Sequence, residues 1–228
     1  ADGGSSMISD VWILLKHSVI VSLIAASCAV ALALLFVYAR RFTPSKIVDF
    51  STHIASIGYV VPGSVLAVAV LITFSWFDHL IDSLLQYYFN VSVGLILSGT
   101  MVALIFAYVF RFLAIPLHAI SSGMEKIRYE LDWVAKVLGT KKQISLFKIH
   151  VPLIMPSIYI AFILMFIESL KELPATLIIR PYNFETLATT AYQLASDERI
   201  VDAALPALII VLAGLVPVCV LSKIMPGQ

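Results

Sequence analysis

Charge is what this sequence has least of. Asp, Glu, Lys and Arg make up 13% of its 228 residues against 61% apolar, and the mean hydropathy is +0.99. A soluble helical protein needs a polar shell, and nothing in the chain can form one, so that class is excluded. Cysteine is scarce too. Cys28 and Cys219 sit inside apolar runs without the neighbours of a metal site, and read as buried thiols acting as small hydrophobes. His79, His118 and His150 have no metal-ligand spacing. There is no Gly-x-x-x-x-Gly-Lys-Ser/Thr loop, no nucleophile elbow and no paired-acid hydrolase site, so the chain is expected to be non-catalytic and to bind no cofactor or metal directly. The start, ADGGSSMISD, lacks the basic region and short apolar core of a cleavable signal peptide. Residues 1–10 read as an external linker, and the chain as a piece of a longer protein.

What is present is long apolar runs. Residues 18–39, 54–77, 91–110 and 203–222 carry no charge, and each is near the ~20 residues that cross the hydrocarbon. A fifth run, 153–167, is shorter and ends at Glu168. The expected fold is all-α: a polytopic membrane helix bundle of about five transmembrane helices over residues 11–223, with residues 224–228 as a tail. Pro62-Gly63, inside the second run, predicts a kink and a close helix approach.

One polar stretch, Tyr129 to Pro156, interrupts the pattern. Ile127, Leu131, Val134 and Leu138 have the spacing of an amphipathic helix over about 126–138; Gly139 is suited to end it in the left-handed conformation. Thr140 with Gln143 has the form of a capping box for a second short helix. A hairpin of this kind, with its loop over about 117–152, offers a docking surface. If it faces the cytoplasm, Arg40, Arg41, Lys46, Arg111, Lys126, Arg128, Lys136, Lys141, Lys142, Lys148 and Lys223 are inside, 11 of the 15 Lys plus Arg. That bias fits the positive-inside rule. The net charge of +1 is spread over loops rather than clustered beside stacking aromatics, so no nucleic-acid partner is expected.

The stretch resembles the coupling loop of binding-protein-dependent ABC importer permeases, whose pattern is Glu-Ala-Ala, three residues, Gly, nine residues, Ile, any residue, Leu, Pro. Here nine residues follow Gly139 before Ile149-His150-Val151-Pro152, and Ala135 falls on the second Ala. Trp133 stands in place of the Glu, Val134 in place of the first Ala, and Asp132 is the nearest carboxylate. Together with GYVVPGSVLAVAVL (58–71), KELPATLIIRPYNFETLATTAYQLASDE (171–198) and AALPALIIVLAGLVPV (203–218), the chain is similar to the second, C-terminal half of a ferric-iron-type permease.

The resemblance implies a multi-pass protein of the bacterial inner membrane. Its partners would be a cytoplasmic ABC ATPase dimer using ATP and Mg, a substrate-binding protein, membrane lipid, and the other permease half or a second copy. Leu131, Asp132, Trp133, Val134, Ala135, Leu138, Gly139, Ile149 and Pro152 would couple to the ATPase. Ferric iron is the expected substrate, with polyamines, phosphonates or thiamine as alternatives, and a secondary transporter fragment as a rival class.

Several residues stay open on the sequence alone. Glu168 and Glu172 are four apart before Pro174 and, with Lys171, mark a translocation path or gate together with Pro62 and Gly63. The carboxylates either attract a cation in transit, or Lys171 pairs with Glu168 to position an outer gate. Asp49 and His53 form either an interfacial polar patch or an ion or proton site. Phe184, Leu187, Ala188, Ala191 and Ala195, after Asn183 as N-cap, predict an external amphipathic helix that is either a gate or a lid. His17 beside Lys16 reads as a headgroup-level residue.

Overall fold

In a computed structural model, residues 3–43 and 45–224 are described; they form helices, with no strand among them. The side chains of residues 3–10, 142, 143, 220, 221, 223 and 224 lie outside the description. The capping role of Gln143 and the placement of the Lys142 and Lys223 charges therefore fall outside it, as does the tail at 225–228. The elements are α1 (Gly3–Phe42), α2 (Lys46–Ile57), α3 (Gly63–Phe89), α4 (Met101–Phe112), α5 (Ala114–Glu125), α6 (Glu130–Val137), α7 (Lys142–Ser145), α8 (Val151–Leu170), α9 (Pro174–Ile179), α10 (Leu187–Ser196) and α11 (Ile200–Ile224). Four helices are long and apolar enough to cross a membrane, and α4 with α5, bent by 49°, makes a fifth candidate span.

The central post is α1. Its Ala25, Ala26, Ala29 and Ala33 are fully buried, and α4, α5 and α8 pack against this small-residue face. Alanine brings backbones close where apolar driving force between helices is lost in lipid. By contrast α11, resting on α10 and α8, leaves Leu208, Val211, Leu212 and Leu215 exposed.

Four expectations are corrected. Residues 3–10 continue α1 rather than forming a linker, since nothing between Gly3 and Val11 breaks a helix already nucleated by a long span. The run at 54–77 is split: Ile54 to Ile57 end α2, capped by Ser45, and Pro62 is the N-cap of α3 rather than a mid-span kink. The third span is displaced along the chain, from 91–110 to 101–125. Residues 91–99 are not helical because two carboxylates one turn apart on α3 take their backbone donors. Asp78 accepts from the N–H groups of Ile96, Leu97 and Ser98 at 2.8–3.1 Å, and Asp82 from those of Val93 and Gly94. Finally, Cys28 and Cys219 are exposed on the outer face of the bundle rather than buried. Small apolar thiols sit there without cost when the surroundings are hydrocarbon.

Candidate functional site: a buried clamp and an intramembrane ion pair

The polar hairpin is a shorter helix than the spacing suggests. α6 covers only Glu130–Val137, and it ends in a Schellman turn: Gly139, at φ +74°, donates to the Lys136 carbonyl, and Thr140 to that of Ala135. Of the predicted stripe only Ile127 is buried; Leu131, Val134 and Leu138 are exposed. The face turned to the bundle holds Ala135 and Asp132 instead. Trp133, Val137 and Leu138, 71–86% exposed, therefore form an unpartnered apolar surface.

Asp132 is the centre of a clamp. One carboxylate oxygen accepts from Arg41 Nε at 2.8 Å and the other faces His150 Nε2 at 2.7 Å. Arg41, at the end of α1, also donates to the carbonyls of Met124 and Ile127, and its guanidinium lies over the Tyr129 ring. His150 is fully buried at the end of a single π-helical turn (Leu146–His150) that leads into α8, and its Nδ1 is 3.0 Å from the Ser145 carbonyl. The hairpin is thereby bound to two spans, α1 and α8. Ile149 lies in the π-turn beside His150, and Pro152 sits exposed in the first turn of α8.

A second polar centre lies in the middle of the bundle. Arg111 was expected in an inside loop, yet it sits on α4 at the bend, about 15 Å along the span from Met101. Its Nε lies 3.5 Å from Glu172 Oε2, with side chains 19% and 6% exposed. Glu172 does not share a helical face with Glu168: α8 ends at Leu170, and the turn before Pro174 swings Glu172 inward. There its other oxygen accepts from Ala175 N–H, and its carbonyl accepts from the Thr176 hydroxyl at 2.6 Å. Thr176 has spent its one proton, so the buried Tyr108 hydroxyl, 2.5 Å away, donates to it.

Gly63 backs the pair: a side chain there would overlap the Arg111 guanidinium and stand 2.8 Å from Glu172 Oε1. Gly63 and Glu172 thus converge on Arg111, while Pro62 and Pro174, beside them in sequence, are exposed. Glu168 and Lys171 do not join them; they pair with each other at 2.8 Å, with Lys171 more than half exposed. The missed signal was Arg111 itself, a lone cation with apolar sequence on both sides, which marks a span interior rather than a loop.

Elsewhere the sites are less developed. Asp49 pairs with Arg40 at 3.0 Å, and no group of three or more metal-ligating side chains occurs among the described residues. The N-cap of α10 is Thr186, in a capping box with Thr189, rather than Asn183, which takes φ +58° in the preceding turn. Phe184, Leu187 and Ala188 are buried, with Phe184 stacked on His17 at 4.4 Å, so His17 is a packing residue.

This arrangement, an apolar span bundle with a clamped hairpin between its third and fourth spans, agrees with a family match over residues 29–225, to the "Binding-protein-dependent transport system inner membrane component". The chain belongs to that family. It is a multi-pass inner-membrane permease component. It is 26% identical over 208 residues to the Fe(3+)-transport system permease protein FbpB 2 of Haemophilus influenzae, covering 91% of this chain and 38% of that protein. It is 27% identical over 128 residues to PhnV of Salmonella typhimurium, named for 2-aminoethylphosphonate transport, covering 56% of this chain and 48% of that protein. The chain therefore spans less than half the length of either relative. In fold it is similar to a bacterial alginate ABC transporter solved in complex with an alginate pentasaccharide-bound periplasmic protein, at TM-score 0.73, 15% identity, 92% of this chain and 76% of that one.

Proposed function

We propose that this permease component forms one half of the path of an ATP-driven ABC importer, taking ferric iron from a substrate-binding protein. The exposed apolar face of the hairpin carries the reading: Trp133, Val137 and Leu138 are turned away from the bundle while Asp132 anchors the opposite face. Such a face needs a partner, and a cytoplasmic ATPase dimer, which would hold the ATP and Mg, is the partner that family membership supports. The other permease half, or a second copy, would complete the path against the exposed faces of the spans.

Mechanically, closure of the ATPase dimer displaces the hairpin. Because Asp132 is bonded to Arg41 and faces His150, α1 and α8 move with it, and α1 carries α4 and α5, which pack on its alanine face. The ATPase biases two arrangements of the bundle rather than creating a new one. The Arg111–Glu172 pair, at the bend of the third span, is where such rocking would open or close the path. The similarity to FbpB 2 favours ferric iron, and that to PhnV keeps a phosphonate as the second candidate; polyamine and thiamine have no support of this kind.

The test is Val137→Glu, which places a charge on the exposed face without touching the clamp. Co-purification of the ATPase and substrate-stimulated ATP hydrolysis should fall at least tenfold while the membrane domain remains folded. Undiminished ATPase binding, or transport by the chain alone on a proton or sodium gradient, would overturn the reading.

A further inference from the structure

Beside the hairpin, a cleft of about 320 Å³ opens between α5 and α8. The two helices touch where Gly123 meets Ser157, with no room for a side chain at 123. Lys126 and Arg128, in the turn after α5, line the cleft on the hairpin side of that contact; Leu153, Pro156 and Ile160, on successive turns of α8, line it from the hairpin end toward the span interior. Cations at one end and span-depth apolar side chains at the other match neither an interior cavity nor a water-filled groove.

We infer that this cleft binds one anionic glycerophospholipid, its headgroup phosphate between Lys126 and Arg128 and an acyl chain along Leu153, Pro156 and Ile160. Charge complementarity selects the headgroup. Lys126 makes no ion pair among the described residues, and Arg128 has only Glu130 at 3.7 Å, with both side chains more than 70% exposed, an ion pair too weak to compete. Basic pockets between transmembrane helices near the membrane face bind anionic headgroups on the same physical ground. Such a lipid would wedge the turn between α5 and α6, and so set the angle at which the hairpin leaves the membrane.

Native mass spectrometry of the full-length protein, released from nanodiscs of equal phosphatidylglycerol and phosphatidylcholine, tests the assignment. Wild type should retain phosphatidylglycerol over phosphatidylcholine by on the order of tenfold, the attraction expected of two surface cations, one of them already beside a carboxylate. Lys126→Ala with Arg128→Ala should bring the ratio to parity. Leu153→Trp should lower retention of both lipids by filling the cleft, and Lys148→Ala, a cation outside it, should leave the ratio unchanged. Equal retention by wild type, a preference that survives the double substitution, displacement by inorganic phosphate alone, or cross-linking of Leu153→Cys to a second permease half would each overturn it.

Discussion

Arg111 and Glu172 meet at 3.5 Å in the middle of the bundle, one from the bend of the third span and the other from the turn that follows the fourth. Neither has another charged partner within salt-bridge distance among the described residues. A charge at this depth is tolerated only when paired or facing a cavity, so the two must be retained or lost together.

Arg111→Ala alone should cost ~3–5 kcal/mol by leaving a buried carboxylate unpaired. It should lower expression and thermal stability as well as transport. Glu168→Gln, whose partner Lys171 is more than half exposed, should shift the melting temperature little. The decisive variant exchanges the charges, Arg111→Glu with Glu172→Arg: recovery of assembly without recovery of transport would assign the pair a role in the path beyond holding it together.

Gly63→Ala reverses the usual sign of a substitution in a helix. At the first residue of α3 alanine would ordinarily be at least as well accommodated as glycine. Here the added carbon collides with the Arg111 guanidinium, so thermal melting should show a loss, while Ser64→Ala on the exposed neighbour should not.

Asp132→Ala removes the acceptor that joins α1, the hairpin and α8. The bundle should still assemble, since its alanine-lined core is untouched, but ATP hydrolysis should no longer respond to the loaded binding protein. Glu130→Ala, on the exposed side of the same helix, should leave that response within about twofold, as expected for a surface pair. Equal effects of the two changes would remove the clamp from the mechanism.

Gly139→Val acts on backbone alone. At φ +74° a β-branched residue is strained, and nothing lies within 4 Å of the position, so crowding plays no part. Coupling should fall with insertion and folding preserved; retained coupling would mean that the hairpin turn can relax without consequence.

Orientation is checked by thiol labelling in a background lacking the exposed Cys28 and Cys219. Asn183→Cys should react with an impermeant reagent in intact cells, and Lys141→Cys only after the membrane is opened. Reaction at 141 from outside would place the hairpin beyond the reach of any cytoplasmic ATPase.

The sequence by itself determined the class, a bundle of four to five candidate spans, and the turn at Gly139, because these follow from local properties: apolar length and a backbone conformation. Tertiary structure decided what the polar residues do. Residues 91–99 look as apolar as a span, yet Asp78 and Asp82 on α3 take their backbone donors and leave them non-helical. The stripe Leu131, Val134, Leu138 has the period of a buried face, but the hairpin turns it outward because Asp132 finds Arg41 and His150 on distant elements. Glu172 is four residues from Glu168 in sequence, and the end of α8 sends them to different partners, one to Lys171 at the exposed edge and the other to Arg111 in the interior. Periodicity records which residues share a face; which neighbour that face meets depends on pairings tens of residues apart, and for a charge in a membrane the pairing determines its role.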